Sequence, residues 1–145
     1  MFNLYKGNAM MILENILKLE DAESIYESLI SLGKTMPSYP HDLRCEENLV
    51  QGCQSIMYLY GELKDGKMFF FCDSEALISK GLAAFCIYLV NGKTPEEILK
   101  YPFEEIKQIN LPLILSPSRS NGLKGLLLKI KNQALKAYVE SSNRG

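Results

Sequence analysis

Two apolar runs meet at Asp65-Gly66, and this junction narrows the fold more than any other feature of the chain. On one side Ile56, Tyr58 and Tyr60 alternate with Met57 and Leu59; on the other stands KMFFFCD. Asp-Gly suits a two-residue hairpin turn, because both central positions need positive φ. The aromatic-rich runs have high strand propensity. The pattern predicts antiparallel strands over Gln54–Leu63 and Lys67–Asp73, with a short third piece over Asn48–Val50. So small a sheet cannot bury its apolar faces alone, so helices must cover it. One face is expected to pack on helices. The other is covered by the termini or left partly open as a partner surface.

Helical patterns flank the hairpin. Asp21 reads as an N-cap, followed by Ala22, Ile25, Tyr26, Leu29 and Ile30 at helical spacing, with Gly33 as a stop. MPSYPHDLRCEEN has two prolines and no period, so it reads as an irregular loop. Downstream, Leu77, Ile78, Gly81, Leu82, Phe85 and Leu89 form an apolar stripe that ends at Asn91-Gly92. In TPEEILK, Thr94 caps a helix, Pro95 takes its first position and acids fill its first turn. Pro102 separates a second short helix, FEEIKQI. In the last helix Ser116 or Ser118 caps, Pro117 opens the first turn, and Leu123, Leu126, Leu127 and Ile130 face inward, with the tail SNRG frayed. The reading is α+β: a helix, a small antiparallel sheet of two or three strands, then several helices. It forms one domain over residues 1–145 with its core at about 10–140.

Composition excludes several classes. The chain has 145 residues, is 47% hydrophobic and 23% charged, and has a formal net charge of −1. That length and apolar content supply one real core. The charge balance lacks the basic excess of a nucleic-acid binder, and the hydrophobicity is too high for disorder. No apolar run approaches the roughly 18 residues of a membrane span. Glu14 and Glu20 interrupt the N-terminal apolar residues and no small-residue cleavage site follows, so no signal peptide is read. A soluble cytoplasmic protein is expected.

The cysteines are Cys45, Cys53, Cys72 and Cys86, none in a C-x-x-C pair. Zinc held by Cys45, Cys53, Cys72 and the single histidine, His41, finds no support in the spacing. Without an export signal, disulfides are not expected. Cys53 is open to two readings: a small apolar filler at a strand entrance, or a sulfur presented for chemistry. For the second, it sits at a loop-to-strand junction, follows Gly52, which permits close approach by another chain, and has neutral neighbours in Gln51, Gln54 and Ser55. A thiol near its ordinary pKa of about 8.5 is only a few per cent thiolate at neutral pH, but that thiolate is strongly nucleophilic. Cys72 and Cys86 read as packing, and Cys45 is disfavoured as a thiolate by Glu46 and Glu47. Arg119 falls in the first turn of the last helix, where a cation opposes the dipole; it is either solvated or aimed at something else. Asp73 or Ser74 is expected to cap the next helix, with Glu75 complementing its N-terminus. There is no G-x-S-x-G, P-loop, G-x-G-x-x-G or second histidine.

Taken in order, LVQGCQSIMYL, DSEALISKGLAAF, LVNGKTPEEIL and LSPSRSNGL resemble the SufE family of sulfur-acceptor proteins, over roughly Leu43 to Ala137. The resemblance implies the α+β fold of the SufE/NifU (IscU-like) type. It implies that Cys53 accepts the sulfane sulfur of a cysteine persulfide on a separate, SufS-like, pyridoxal-phosphate-dependent cysteine desulfurase. It further implies that this protein stimulates the desulfurase and relays the sulfur to an iron–sulfur cluster scaffold of the SufBCD type. On this reading the protein is a sulfur carrier rather than an enzyme. It has no cofactor or metal of its own and binds neither nucleic acid nor membrane. Gln51, Gly52, Gln54, Ser55, Asp73, Glu75 and Arg119 are the expected loop or partner contacts. The chain departs from the family's frequent D-S-D in having Asp73-Ser74-Glu75, which moves the second carboxylate one methylene outward. Two alternatives stand beside this reading. An IscU-type scaffold would need several converging ligands, and a redox-sensing thiol would need a resolving cysteine, for which Cys45 is the nearby candidate.

Overall fold

The computed structural model describes residues 2–109 and 115–144. The hairpin forms where the sequence places it. Asp65 and Gly66 have φ of 53° and 78°, and β1 (Met57–Lys64) pairs with β2 (Lys67–Ser74) in antiparallel register from Lys64↔Lys67 to Met57↔Ser74. Strand β1 starts three residues later than expected. Gln54, Ser55 and Ile56 stay out of the ladder because the chain before them is drawn onto the last helix, as described below. The expected third strand is reduced to one bridge, Leu49↔Tyr58, with the Val50 N–H donating to the Met57 carbonyl at 2.9 Å.

Among the described residues two helices precede the hairpin, α1 (Phe2–Ile16) and α2 (Ala22–Lys34), and four follow, α3 (Leu77–Val90), α4 (Pro95–Lys100), α5 (Glu104–Gln108) and α6 (Pro117–Arg144). Asp21 caps α2 by accepting from the Ser24 N–H. Gly33 does not end that helix, which runs on to Lys34. It lies instead where α2 crosses α3: a Cβ on Gly81 would sit 2.2 Å from the Leu29 carbonyl oxygen, so the crossing demands glycine. The loop after α2 contains two single 3-10 turns, His41–Leu43 and Glu46–Asn48. Helix α6 continues to Arg144, so Ser142–Arg144 are helical rather than frayed.

Helix α3 is the centre of the core. Ile78, Leu82, Ala83, Ala84, Phe85, Cys86, Ile87 and Val90 are all buried, so the helix is enclosed nearly all round rather than along one stripe. Leu77 departs from expectation at 55% exposed. Against α3 lies the inner face of the hairpin, formed by Met57, Leu59, Met68, Phe70 and Cys72. The outer face is left partly open, with Tyr58, Tyr60, Phe69 and Phe71 half-buried and a loop residue packed against it. Tyr39 packs edge-on to Tyr60 (5.6 Å between centroids) and beside Tyr58, and Tyr60 stacks on Phe71. The residues after α3 return along the outer side of β2. The Asn91 side chain accepts from the Phe70 N–H (2.8 Å), and Met68 exchanges backbone bonds with Gly92 and Lys93. These contacts satisfy groups that an open sheet edge would leave free. Thr94 and Glu97 close a capping box on α4. Lys131 of α6 donates to the Ile98, Leu99 and Tyr101 carbonyls and so ties the end of α4 to α6.

Candidate functional site

The segment Leu49–Ile56 is held against the first turns of α6 by the absence of side chains there. A Cβ on Gly125 would lie 1.8 Å from the Gln51 carbonyl oxygen, and one on Gly122 would lie 3.0 Å from Cys53 Sγ. Gly52 turns the loop at φ 90°, with the Asn121 carbonyl oxygen where its own Cβ would fall, at 3.0 Å. Opposed glycines thus let two backbones approach where ordinary side chains would collide. Side chains finish the seat. Ser118 Oγ donates to Gln54 Oε1 (3.2 Å), and Lys129 Nζ donates to the Glu47 carbonyl (2.5 Å). Of the two serines expected to cap α6, Ser116 does so, accepting the Arg119 N–H at 3.3 Å; Ser118 is left for the loop.

Cys53 is half-buried at this seam, with Sγ 3.9 Å from the Gly122 carbonyl oxygen. It lines a pocket of about 90 Å³. The apolar floor is Met57, Leu82 and Leu126, and the polar wall is Ser55, Ser79, Ser118 and Arg119. A water needs only about 10–15 Å³ by this kind of measure, so an atom added to the sulfur has room. Burial pushes the Cys53 thiol up from its ordinary pKa, which keeps it protonated at neutral pH. The neutral neighbours expected to leave its acidity alone are therefore outweighed by desolvation.

The other predicted residues divide. Arg119 lines the Cys53 pocket, and among the described residues its guanidinium has no hydrogen bond or ion pair. Gln51, Gly52 and Gln54 are exposed on the loop, and Ser55 is half-buried in the pocket wall. Asp73 and Ser74 do not cap α3, whose N-cap is Ala76 with no side-chain bond. Asp73, next to last in β2, accepts two bonds from Arg44, at 2.6 and 3.0 Å, which commits its carboxylate to the loop rather than the helix. Ser74 Oγ accepts the Ala76 N–H at 3.3 Å. Glu75 is exposed beside the pocket and outside the first turn of α3. Ala76, next along, is part of the pocket wall.

Cys72 and Cys86 are buried packing residues, as expected; burial raises Cys72 to about 12 and Cys86 further. Cys45 Sγ accepts from Asn48 Nδ2 at 3.4 Å. Among the described residues no three His, Cys, Asp or Glu side chains converge as a metal site. Gly122, Gly125, Arg44 and Ser79 were not singled out in the sequence. For the glycines a signal existed: Gly122 and Gly125 stand three apart on one helix, the spacing of neighbours on a helical face. For Arg44 there was none, since its partner lies 29 residues away.

Residues 10–134 match the SufE family model, described as an Fe-S metabolism associated domain. The chain is 34% identical over 139 residues to an uncharacterized SufE-like protein of Synechocystis, covering 92% of this chain and 87% of that one. It is 39% identical over 106 residues to the sulfur acceptor protein CsdE of Escherichia coli, covering 72% of each. Its fold matches the solution structure of a hypothetical protein from Thermus thermophilus, with a TM-score of 0.73 at 23% identity over 90% of this chain and 96% of that one. The Gln-Gly-Cys-Gln-Ser loop seated on the Ser-Pro-Ser-Arg-Ser-Asn-Gly helix start lies within the matched span, and the chain belongs to the SufE family.

Proposed function

We propose that this protein is a sulfur acceptor for a pyridoxal-phosphate-dependent cysteine desulfurase of the SufS type. It stimulates that enzyme and relays the sulfur to an iron–sulfur scaffold of the SufBCD type. Cys53 Sγ, as thiolate, attacks the outer sulfur of the desulfurase's cysteine persulfide. The Cys53–sulfur bond forms, the old sulfur–sulfur bond breaks, and its electron pair leaves on the desulfurase thiolate. The outer sulfur carries its own proton across, so the exchange needs no outside oxidant or reductant. The observation that carries the reading is the position of Cys53. Its sulfur faces a pocket with space for one more sulfur atom and with Arg119 in the wall. A cation there would favour the thiolate and the persulfide anion that burial disfavours. The protein acts in the cytoplasm as a carrier with no cofactor of its own. No described helix is long and apolar enough to cross a membrane.

The test is to mix the protein with the desulfurase and cysteine and map modified peptides by mass spectrometry. One added sulfur on Cys53, lost on reduction, is expected. Cys53→Ser should abolish both the adduct and the stimulation; stimulation left intact in that variant would refute the acceptor mechanism.

A further inference from the structure

Helix α6 carries a second surface away from the sulfur. Leu128, Leu135 and Val139 are 61%, 49% and 47% exposed and recur at i, i+7 and i+11, so they share the solvent side of the helix, with Asn132 between them. A surface helix ordinarily turns polar residues that way. The same helix holds six basic residues (Arg119, Lys124, Lys129, Lys131, Lys136 and Arg144) and a single acid, Glu140, a formal +5 in a chain whose total is −1. Charge and apolarity are therefore concentrated together on one element.

The stripe lies beside the sulfur loop. Gly125, Lys129 and Lys136 fall on the adjoining flank of α6. Gly125 receives the Gln51 carbonyl, and Lys129 and Lys136 reach Glu47, at its carbonyl and carboxylate respectively. At about 1.5 Å per residue, Leu128 is about 9 Å and Val139 about 26 Å along the helix from Gly122. A protein lying on the stripe would leave the pocket mouth open while staying within reach of it.

We infer that the Leu128–Leu135–Val139 stripe docks an acidic amphipathic helix of the protein that receives sulfur from Cys53; this rests on the relay reading above. The apolar seam fits a helix face of the same kind, and the net positive charge of α6, with Lys124 exposed and unpaired among the described residues, calls for carboxylates beside it. A second copy of this chain fits poorly, because it would set lysine against lysine. The desulfurase has to occupy the mouth during loading, and a separate surface lets the receiver bind without competing for it.

The experiment separates loading from delivery. Cys53 is charged by a cysteine desulfurase with ³⁵S-cysteine, the charged protein is isolated, and transfer to a purified SufBCD-type scaffold complex is timed. The double variant Leu128→Ser, Leu135→Ser should load at the wild-type rate and deliver at least about tenfold more slowly, the scale of losing central interface anchors. Lys124→Glu should slow delivery as well and weaken its dependence on salt. All three substituted residues are exposed on α6, and a circular dichroism melt matching wild type shows the fold intact. Delivery at the wild-type rate in the double variant overturns the inference. So does a parallel loss of loading, which would assign the stripe to the desulfurase. A concentration-dependent dimer that Leu135→Ser abolishes overturns it in favour of self-association, and sedimentation with phosphatidylserine vesicles that the double variant loses overturns it in favour of a lipid surface. Wild-type protein that loads but never delivers to the scaffold overturns it also. A wild type in which Cys53 acquires no sulfur at all would instead defeat the acceptor reading beneath it.

Discussion

Gly125→Ala tests the seat of the sulfur loop directly. A Cβ at this position would lie 1.8 Å from the Gln51 carbonyl oxygen and 3.0 Å from its carbon. An ordinary carbon–oxygen contact needs well over 3 Å, so either the loop lifts by more than an ångström or α6 moves. Overpacking of this kind costs about 1–3 kcal/mol. Replacing a mid-helix glycine by alanine returns about 0.5–1 kcal/mol. The net expectation is a loss of about 1 kcal/mol, which for a chain of this length lowers Tm by about 3 °C. The functional effect should be larger than the stability effect. A reacting group moved by about 1 Å can lose about 100-fold in rate, and the lifted loop carries Cys53 away from its pocket. Calorimetry measures the first quantity and persulfide loading of Cys53, followed by mass spectrometry, the second. Gly122→Ala supplies a graded companion, because its Cβ would approach Cys53 Sγ only to 3.0 Å and asks for a few tenths of an ångström. Gly125→Ala protein with wild-type Tm and wild-type loading would refute the claim that α6 sets the position of the thiol.

Three further outcomes follow from the contacts. Asp73→Asn should cost about 0.5–1 kcal/mol by urea denaturation, since the pair with Arg44 is well aligned but partly open to solvent; the cost should shrink in high salt. Lys131→Met should cost more, about 1–3 kcal/mol, because three carbonyls at the end of α4 lose one shared donor. Stability should fall as pH rises from about 9 towards about 12. Cys72 stays protonated in the fold to about 12 while the unfolded chain releases that proton near 9, so the unfolded state binds fewer protons and gains with pH. Cys72→Ala should flatten that slope in denaturation curves collected across the range.

Local chemistry was legible where it was self-contained. Asp65-Gly66, Asp21 and Thr94 each satisfy a requirement of their own few residues, a positive φ or an unpaired helix N–H, and each does in the structure what its type predicts. Gly33 and Asp73 were misread for the opposite reason. A glycine near a helix end and an acid before a helix start both have sound local roles, but here each is committed to a distant partner: Gly33 to the crossing with Gly81, Asp73 to Arg44.

The candidate site shows the same division. The sequence alone, through QGCQS and SPSRSNG, singled out Cys53 and Arg119 and the family to which they belong, because both motifs stand in the family's order along the chain. It could not join the two motifs in space. Their meeting depends on glycines that put α6 against the loop across a sequence separation of 69, and absent side chains leave no local pattern that names their partner. Nor could it set the state of the thiol. Neutral neighbours in sequence suggested an unperturbed cysteine, whereas the atoms that desolvate it come from α3, β1 and α6. Identity and order were decided along the chain; burial, proximity and protonation were decided by packing, since each depends on distances that only the folded chain defines.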